Sequence, residues 1–368
     1  MAAIEWQSDV EFSADKYDDA ETETEIEKDY DVGDSDEDEG KEAEDAPPES
    51  DGNGILRRGR MVKGEFGRYT HIFERKPGPS LFNLYREARV VVVLIHGLGL
   101  SNQSWIPVEE ILLNKGYATV SYDLIGRGFS EHKRDGGYGI KEHVEQLFED
   151  VVKPLLDRFD EINVIGHSAG GGIAVAFASE YYRSEAMKGK LKSVTAIAPT
   201  GLLYRPALCL LQNLPVLNLI FYPFLMNMSA QRSAWTIDFD KVGDEDTDKE
   251  VIKERVVGLQ EALHSDQERS SRITKALWRN LEEFPFTNMQ QEIQNLAAKM
   301  KGDSSFDNTA IKFTLVWGNA DTVCPIDSAE EWRATFKESS NFSFKELEGL
   351  GHGLVQSDTE KVLAAAGY

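Results

Sequence analysis

Gly166-His167-Ser168-Ala169-Gly170 is the segment of this chain in which residue types, spacing and flanks combine into a reactive group. It follows the apolar run Ile162–Ile165 and opens the helical stretch Gly170–Tyr182. Between a strand and a helix, Gly-x-Ser-x-Gly makes a turn so tight that the serine hydroxyl stands clear of the sheet. Ser168 must then hold a strained backbone conformation. A Cβ at Gly166 or Gly170 would meet neighbouring backbone, which explains the two glycines. A serine hydroxyl is a weak nucleophile at neutral pH and needs a base to take its proton. Attack on an acyl carbonyl also needs preorganised donors for the oxyanion. Seven histidines are available as the base. The two cysteines, Cys209 and Cys324, form neither a Cys-x-x-Cys pair nor a zinc cluster, so no metal is expected. Acyl transfer on serine requires no organic cofactor either.

Such a turn needs a sheet to carry it. Met61–Phe73 alternates like paired edge strands, and Val90–Ile95 is apolar on both faces, as a buried parallel strand requires. Comparable runs follow at Ala118–Tyr122, Ile162–Ile165, Val194–Ile197, Ile311–Val316 and Phe342–Leu347. Val108–Asn114, Ile140–Phe159 and Gly170–Tyr182 between them have helical spacing. Strands alternating with helices predict an α/β fold with a mostly parallel sheet. The alternation breaks once, between residues 197 and 311, where Lys249–His264, Ser271–Leu281 and Met289–Met300 have helical spacing. An insertion of that size reads as a cap. The expected organisation is an acidic tail over 1–53, a core over 54–200 and 306–368, and a helical cap over 201–305.

Together with the elbow, His96-Gly97-Leu98-Gly99, Asp123-Leu124-Ile125-Gly126-Arg127-Gly128-Phe129-Ser130, Gly318-Asn319-Ala320-Asp321 and Gly351-His352-Gly353 occur in a telling order. From about residue 60 to the end, the chain resembles the α/β-hydrolase fold family, in its esterase, lipase and monoacylglycerol-lipase-like branch. The resemblance implies an eight-stranded, mostly parallel sheet flanked by helices, with a helical cap inserted after the sixth strand. It also implies the chain order Ser, acid, His. His71 falls in the N-terminal hairpin, His132 and His143 follow the fourth strand, and His264 belongs to the cap. His96 is expected to bond loop backbone, and His167 to pack its ring away from the site. His352 remains as the base. Asp321 stands where the family keeps the acid, with Asp327 as the alternative, although Asp327 also suits the start of a helix. Asp123 fits a structural turn. Ala169 and Leu98 are the expected oxyanion donors, with Gly99 as the alternative to Leu98. Trp105 is a candidate wall of the acyl pocket or else a core side chain, and Cys324 reads as an inert thiol.

Charge excludes some functions. The first 50 residues hold 21 Asp/Glu against 3 Lys/Arg, a net of −18, whereas the remainder holds 43 against 37. An anionic surface without a basic stripe does not suit nucleic acid. The acidic tail lacks the apolar side chains needed to offset ordering entropy, so it is expected to be disordered, with a basic protein as its conceivable partner. The N-terminus has no signal-peptide pattern, and the cysteine usage fits a reducing compartment; the cytoplasm is the expected location.

Pro206–Gln231 carries no charge and is rich in Leu, with Phe221 and Phe224. Its length would span a bilayer, but a span there would separate strands that must share one sheet. A lipophilic lid is expected instead, with transient membrane contact through it. Phe221 is then a candidate substrate-binding residue, and the small-molecule substrate an ester or lipid of lipophilic acyl chain. An epoxide hydrolase or dehalogenase would need Asp at position 168. A carbon–carbon bond hydrolase, an acyltransferase, and a non-catalytic ligand-binding protein on a hydrolase scaffold remain as alternatives.

Overall fold

A computed structural model of the chain describes residues 59–64, 67–78, 88–133, 137–202, 258, 262, 265–303 and 310–368. The acidic segment 1–53, the apolar opening of the cap with Phe221, and His264 lie outside the described residues. Eight strands form one sheet: β1 (Arg60–Lys63), β2 (Tyr69–Arg75), β3 (Val90–Ile95), β4 (Ala118–Tyr122), β5 (Glu161–His167), β6 (Leu191–Ile197), β7 (Lys312–Gly318) and β8 (Phe342–Leu347). Their spatial order is β1-β2-β4-β3-β5-β6-β7-β8. The hairpin β1–β2 joins β4 antiparallel, and every pairing beyond it is parallel.

The parallel centre explains the unbroken apolar run of β3. Val91 through Ile95 are completely buried, because helices cover both faces of the sheet. One group comprises α1 (Ile106–Asn114) and the C-terminal helix Thr359–Ala366, which pack on each other. The other comprises α2 (Ile140–Glu145), α3 (Ala169–Tyr181), α5 (Gln290–Met300) and α6 (Ala329–Phe336). Between α3 and α5 in sequence lies α4 (Gln267–Glu283), capped by Asp266, whose carboxylate accepts the Arg269 N–H at 2.6 Å. Residues 354–357 form the short helix α7, and 359–366 form α8. Although α5 falls within the span 201–305, it packs along α3, and its Ile293, Leu296 and Met300 belong to the main core.

The single helix expected over Ile140–Phe159 is divided. After α2 the chain widens into a π-helical segment, Gln146–Val152, and then tightens into a 3₁₀ turn that contains Pro154. The wide turn accommodates two buried polar side chains. Gln146 accepts the Ile125 N–H, and the Asp150 carboxylate accepts from Arg68 Nε at 2.9 Å and Thr70 Oγ1 at 2.7 Å. These contacts tie the segment to β2 and to the turn after β4. Among the described residues, no helix is long and apolar enough to cross a membrane.

The connections leave β3 and β5 in opposite directions, since β4 lies on one side of that pair and β6 on the other. A crevice therefore opens at the carboxyl ends of these neighbours. Register sets the level: Ile95 pairs with Gly166, His167 with Ile197, and Gly318 with Leu347. The loops that leave these ends carry the residues of the site.

Candidate active site

Ser168 joins β5 to α3 with φ 56° and ψ −119°, a conformation that L-residues rarely adopt. Hydrogen bonds on both sides hold it there. Its N–H donates to Ile197 O at 2.9 Å, and its carbonyl accepts from Gly171 N at 2.9 Å and Thr200 N at 3.1 Å. The two glycines of the elbow are dictated by space. A Cβ on Gly166 would lie 2.1 Å from Gly170 O, and one on Gly170 would lie 2.2 Å from Ile95 O. The loop after β3 comes equally close, since a Cβ on Gly97 would sit 3.2 Å from that of Ser168.

His352 and Asp321 arrive from β8 and β7. The imidazole Nδ1 lies 2.8 Å from Asp321 Oδ2, and both side chains are buried. Asp321 Oδ1 accepts two backbone N–H groups, from Val323 at 2.8 Å and Cys324 at 2.7 Å. A carboxylate only accepts, so Nδ1 carries the hydrogen and Nε2 presents its lone pair. Asp327 sits on an exposed 3₁₀ turn before α6, so of the two candidate acids Asp321 is the one the fold brings to His352.

The structure changes the expectation for His167. Its ring packs against that of His352, with centroids 4.9 Å apart, and its Nε2 is 2.9 Å from the His352 carbonyl oxygen. Nε2 therefore donates, and the residue before the nucleophile braces the loop that holds the second histidine. Burial, followed by the neighbouring His352, holds its basicity well below the ordinary histidine value, so it is neutral. The last residue of a strand can send its ring toward the next layer of loops, a direction that sequence spacing does not encode.

His96 bonds loop backbone, as expected. Leu124 N–H donates to its Nε2 at 3.0 Å, and its Nδ1 donates to Gly97 O at 2.7 Å. Burial pushes its pKa down to about 4, which keeps the ring neutral, and the two hydrogen bonds fix the tautomer. Asp123 accepts from the backbone N–H groups of Asn102 and Phe129 and from His71, consistent with a structural turn. Trp105 is fully buried in the main core. Ala169 opens α3, where the first N–H groups of a helix lack intrahelical partners. Leu98 lies in the tight turn closed by Leu100 N–H to Gly97 O at 3.1 Å.

Ligand atoms of Asp321, Cys324 and His352 lie within 4.8 Å of one another, the one group with metal-ligand chemistry found among the described residues. Their geometry already has an explanation in the Asp321–His352 bond, which a cation would have to break. What the sequence did not single out is Arg127, a fully buried guanidinium whose Nε donates to Leu98 O at 2.6 Å. An arginine between two glycines in an otherwise apolar turn was the available signal.

Known proteins share part of this sequence and its fold. The chain is 35% identical over 109 residues to the probable lysophospholipase BODYGUARD 4 of Arabidopsis thaliana, covering 29% of this chain and 24% of that one. It is 33% identical over 128 residues to a proline iminopeptidase of Saccharolobus solfataricus, covering 34% and 40% respectively. The matched part thus spans less than half of either relative. An esterase from Exiguobacterium antarcticum superposes with a TM-score of 0.57 at 15% identity, over 84% of this chain and 100% of the esterase. The family model for the alpha/beta hydrolase fold matches residues 90–352, a stretch running from the first buried parallel strand to the histidine paired with Asp321. With the sheet order, the elbow and that match in agreement, the chain belongs to the α/β-hydrolase fold family.

Proposed function

We propose that the protein is a serine hydrolase that cleaves carboxylic esters of lipophilic acyl chains through an acyl-enzyme. The observation that carries the reading is the Asp321–His352 hydrogen bond at 2.8 Å, formed on loops that flank the strained Ser168 elbow. His352 Nε2 takes the Ser168 proton as Oγ attacks the acyl carbon, and the C=O electron pair moves onto oxygen. The N–H groups of Ala169 and Leu98 hold that oxyanion. Collapse breaks the bond to the leaving alkoxide, which receives the proton from His352. Water, deprotonated by the same imidazole, then adds to the acyl-enzyme, and Ser168 leaves with its proton restored. Asp321 stabilises the transient imidazolium throughout.

A lipid-like substrate draws support from the uncharged, Leu- and Phe-rich segment 206–231 and from the name of the Arabidopsis relative, a probable lysophospholipase. As a lid, that segment with Phe221 would bury the acyl chain, each methylene contributing up to ~0.8 kcal/mol, roughly fourfold in binding. The test is kcat/KM on p-nitrophenyl esters from acetyl to octanoyl. A rise with chain length that Phe221→Asp flattens is the expected result. A flat or falling wild-type profile would discard the lipophilic substrate.

A further inference from the structure

Ser168 follows β5 and His352 follows β8, and β6 and β7 lie between those strands in the sheet. Three strand pairings therefore separate the two elements, roughly 14 Å of sheet. Each pairing adds its own twist, so the sheet alone sets the relation of the two residues only loosely. The loop that carries His352 has glycine on both sides of it, and glycine resists backbone rotation least. That loop is fastened before and after the histidine. Ala320 N–H donates to Leu350 O at 3.0 Å, and the N–H groups of Gln356 and Ser357 donate to Gly353 O at 2.9 and 3.0 Å.

At His352 itself, a contact runs straight to the elbow. His167 Nε2 donates to His352 O at 2.9 Å, and the two rings pack with centroids 4.9 Å apart at 40°. His167 is bonded covalently to Ser168, so one residue reaches from the nucleophile's own peptide to the carbonyl of the base. Its ring is buried and closely bounded: a Cβ on Gly97 would lie 3.6 Å from its Nδ1. From the loop after β7, Asp321 Oδ2 holds His352 Nδ1 at 2.8 Å. The base is thus gripped at its backbone from β5 and at its ring from β7, and the two grips together set the direction of Nε2. The neutral ring of His167 also places no like charge beside the imidazolium that forms during the reaction.

We infer that His167 is a positioning residue for the base, a strut that ties the His352 backbone to the nucleophile elbow so that Nε2 faces the Ser168 hydroxyl. The inference rests on the serine-hydrolase reading above and deepens it. Three variants separate the hydrogen bond from the packing. His167→Gln carries an amide N–H near the place of Nε2 and keeps the bond. His167→Phe keeps a flat ring against His352 and removes the donor. His167→Asn stays polar, but its amide ends short of the carbonyl. For each variant, kcat and KM on p-nitrophenyl butyrate, the rate of fluorophosphonate labelling and the thermal midpoint are measured. Misplacing a reacting group by about 1 Å costs on the order of 10²-fold, so His167→Phe and His167→Asn should lower kcat roughly 10–100-fold. KM should move by less than about threefold, because the base acts in the transition state. Labelling should slow in proportion, since the same base activates Ser168 in both reactions. With its donor kept, His167→Gln should stay within about fivefold of wild type. In a His352→Ala background, where no base is left to position, His167→Phe should change the residual rate by less than about twofold. Wild-type kcat in either folded donor-less variant, equal losses in all three variants, or the same loss with and without His352 would overturn the inference. So would failure of both donor-less variants to fold, which would make His167 a purely structural residue. Fluorophosphonate labelling of wild-type Ser168 serves as the control: its absence would defeat the underlying serine-hydrolase reading, whatever the His167 variants do.

Discussion

Asp321 divides its two oxygens, giving Oδ1 to the backbone N–H groups of Val323 and Cys324 and Oδ2 to His352. That division predicts the behaviour of Asp321→Asn. The two backbone donors claim the amide oxygen, so the NH₂ group turns to His352 Nδ1 and demands a lone pair there. The imidazole must then carry its proton on Nε2, the nitrogen needed as the base. Steady-state ester hydrolysis should show kcat lowered by about 10³–10⁴ with KM little changed. Asp327→Asn, at an exposed turn, should stay within about twofold of wild type. The opposite ranking would move the acid to position 327.

At the scale of elements, the close approach of α3 to β3 is what places Ser168 over the sheet. Gly170→Ala would put a methyl group 2.2 Å from Ile95 O, and backbone cannot yield as a flexible side chain does. A cost of about 3 kcal/mol or more is expected, lowering the thermal midpoint by roughly 6 °C. Gly302→Ala, with nothing within 4 Å, should leave the midpoint unchanged. Scanning calorimetry of the two variants provides the check, and equal midpoints would refute the close-approach account. The same steric constraint made the elbow legible in the sequence, because only glycine fits there. The central strands were legible for a related reason: burial on both faces selects uninterrupted apolar runs such as Val90–Ile95. Arg127 was not, since its partner is a carbonyl 29 residues away and a carbonyl has no side-chain identity to read. The π-helical segment 146–152 was hidden likewise, because its helical spacing persists while Asp150 is drawn to Thr70 on β2 and to Arg68 just before it.

For the molecule as a whole, three buried histidines set a pH dependence. Burial lowers His96 to about 4 and His143 to about 3, and lowers His167 well below its ordinary value of 6.5. The folded state leaves these groups neutral while the unfolded chain takes up a proton on each near pH 6.5. Stability is therefore fully present above that value and is lost as pH falls from 6.5 toward 4. Between pH 7.5 and 5 the loss should be roughly 2 kcal/mol for His96 and for His143, with His167 adding in the same direction. Urea unfolding at the two pH values tests this, with His143→Asn expected to reduce the difference by about that amount. Identical unfolding midpoints at both pH values would contradict the assignment of neutral, buried imidazoles.

Every step of the proposed reaction depends on Ser168 being an activated nucleophile. The direct measurement is reaction of the 368-residue protein with a fluorophosphonate, followed by mass spectrometry of the peptide that contains the elbow. One phosphonyl adduct per chain, on Ser168 and absent from Ser168→Ala, is the predicted result. An unlabelled wild-type protein, or labelling that persists in Ser168→Ala, would contradict it.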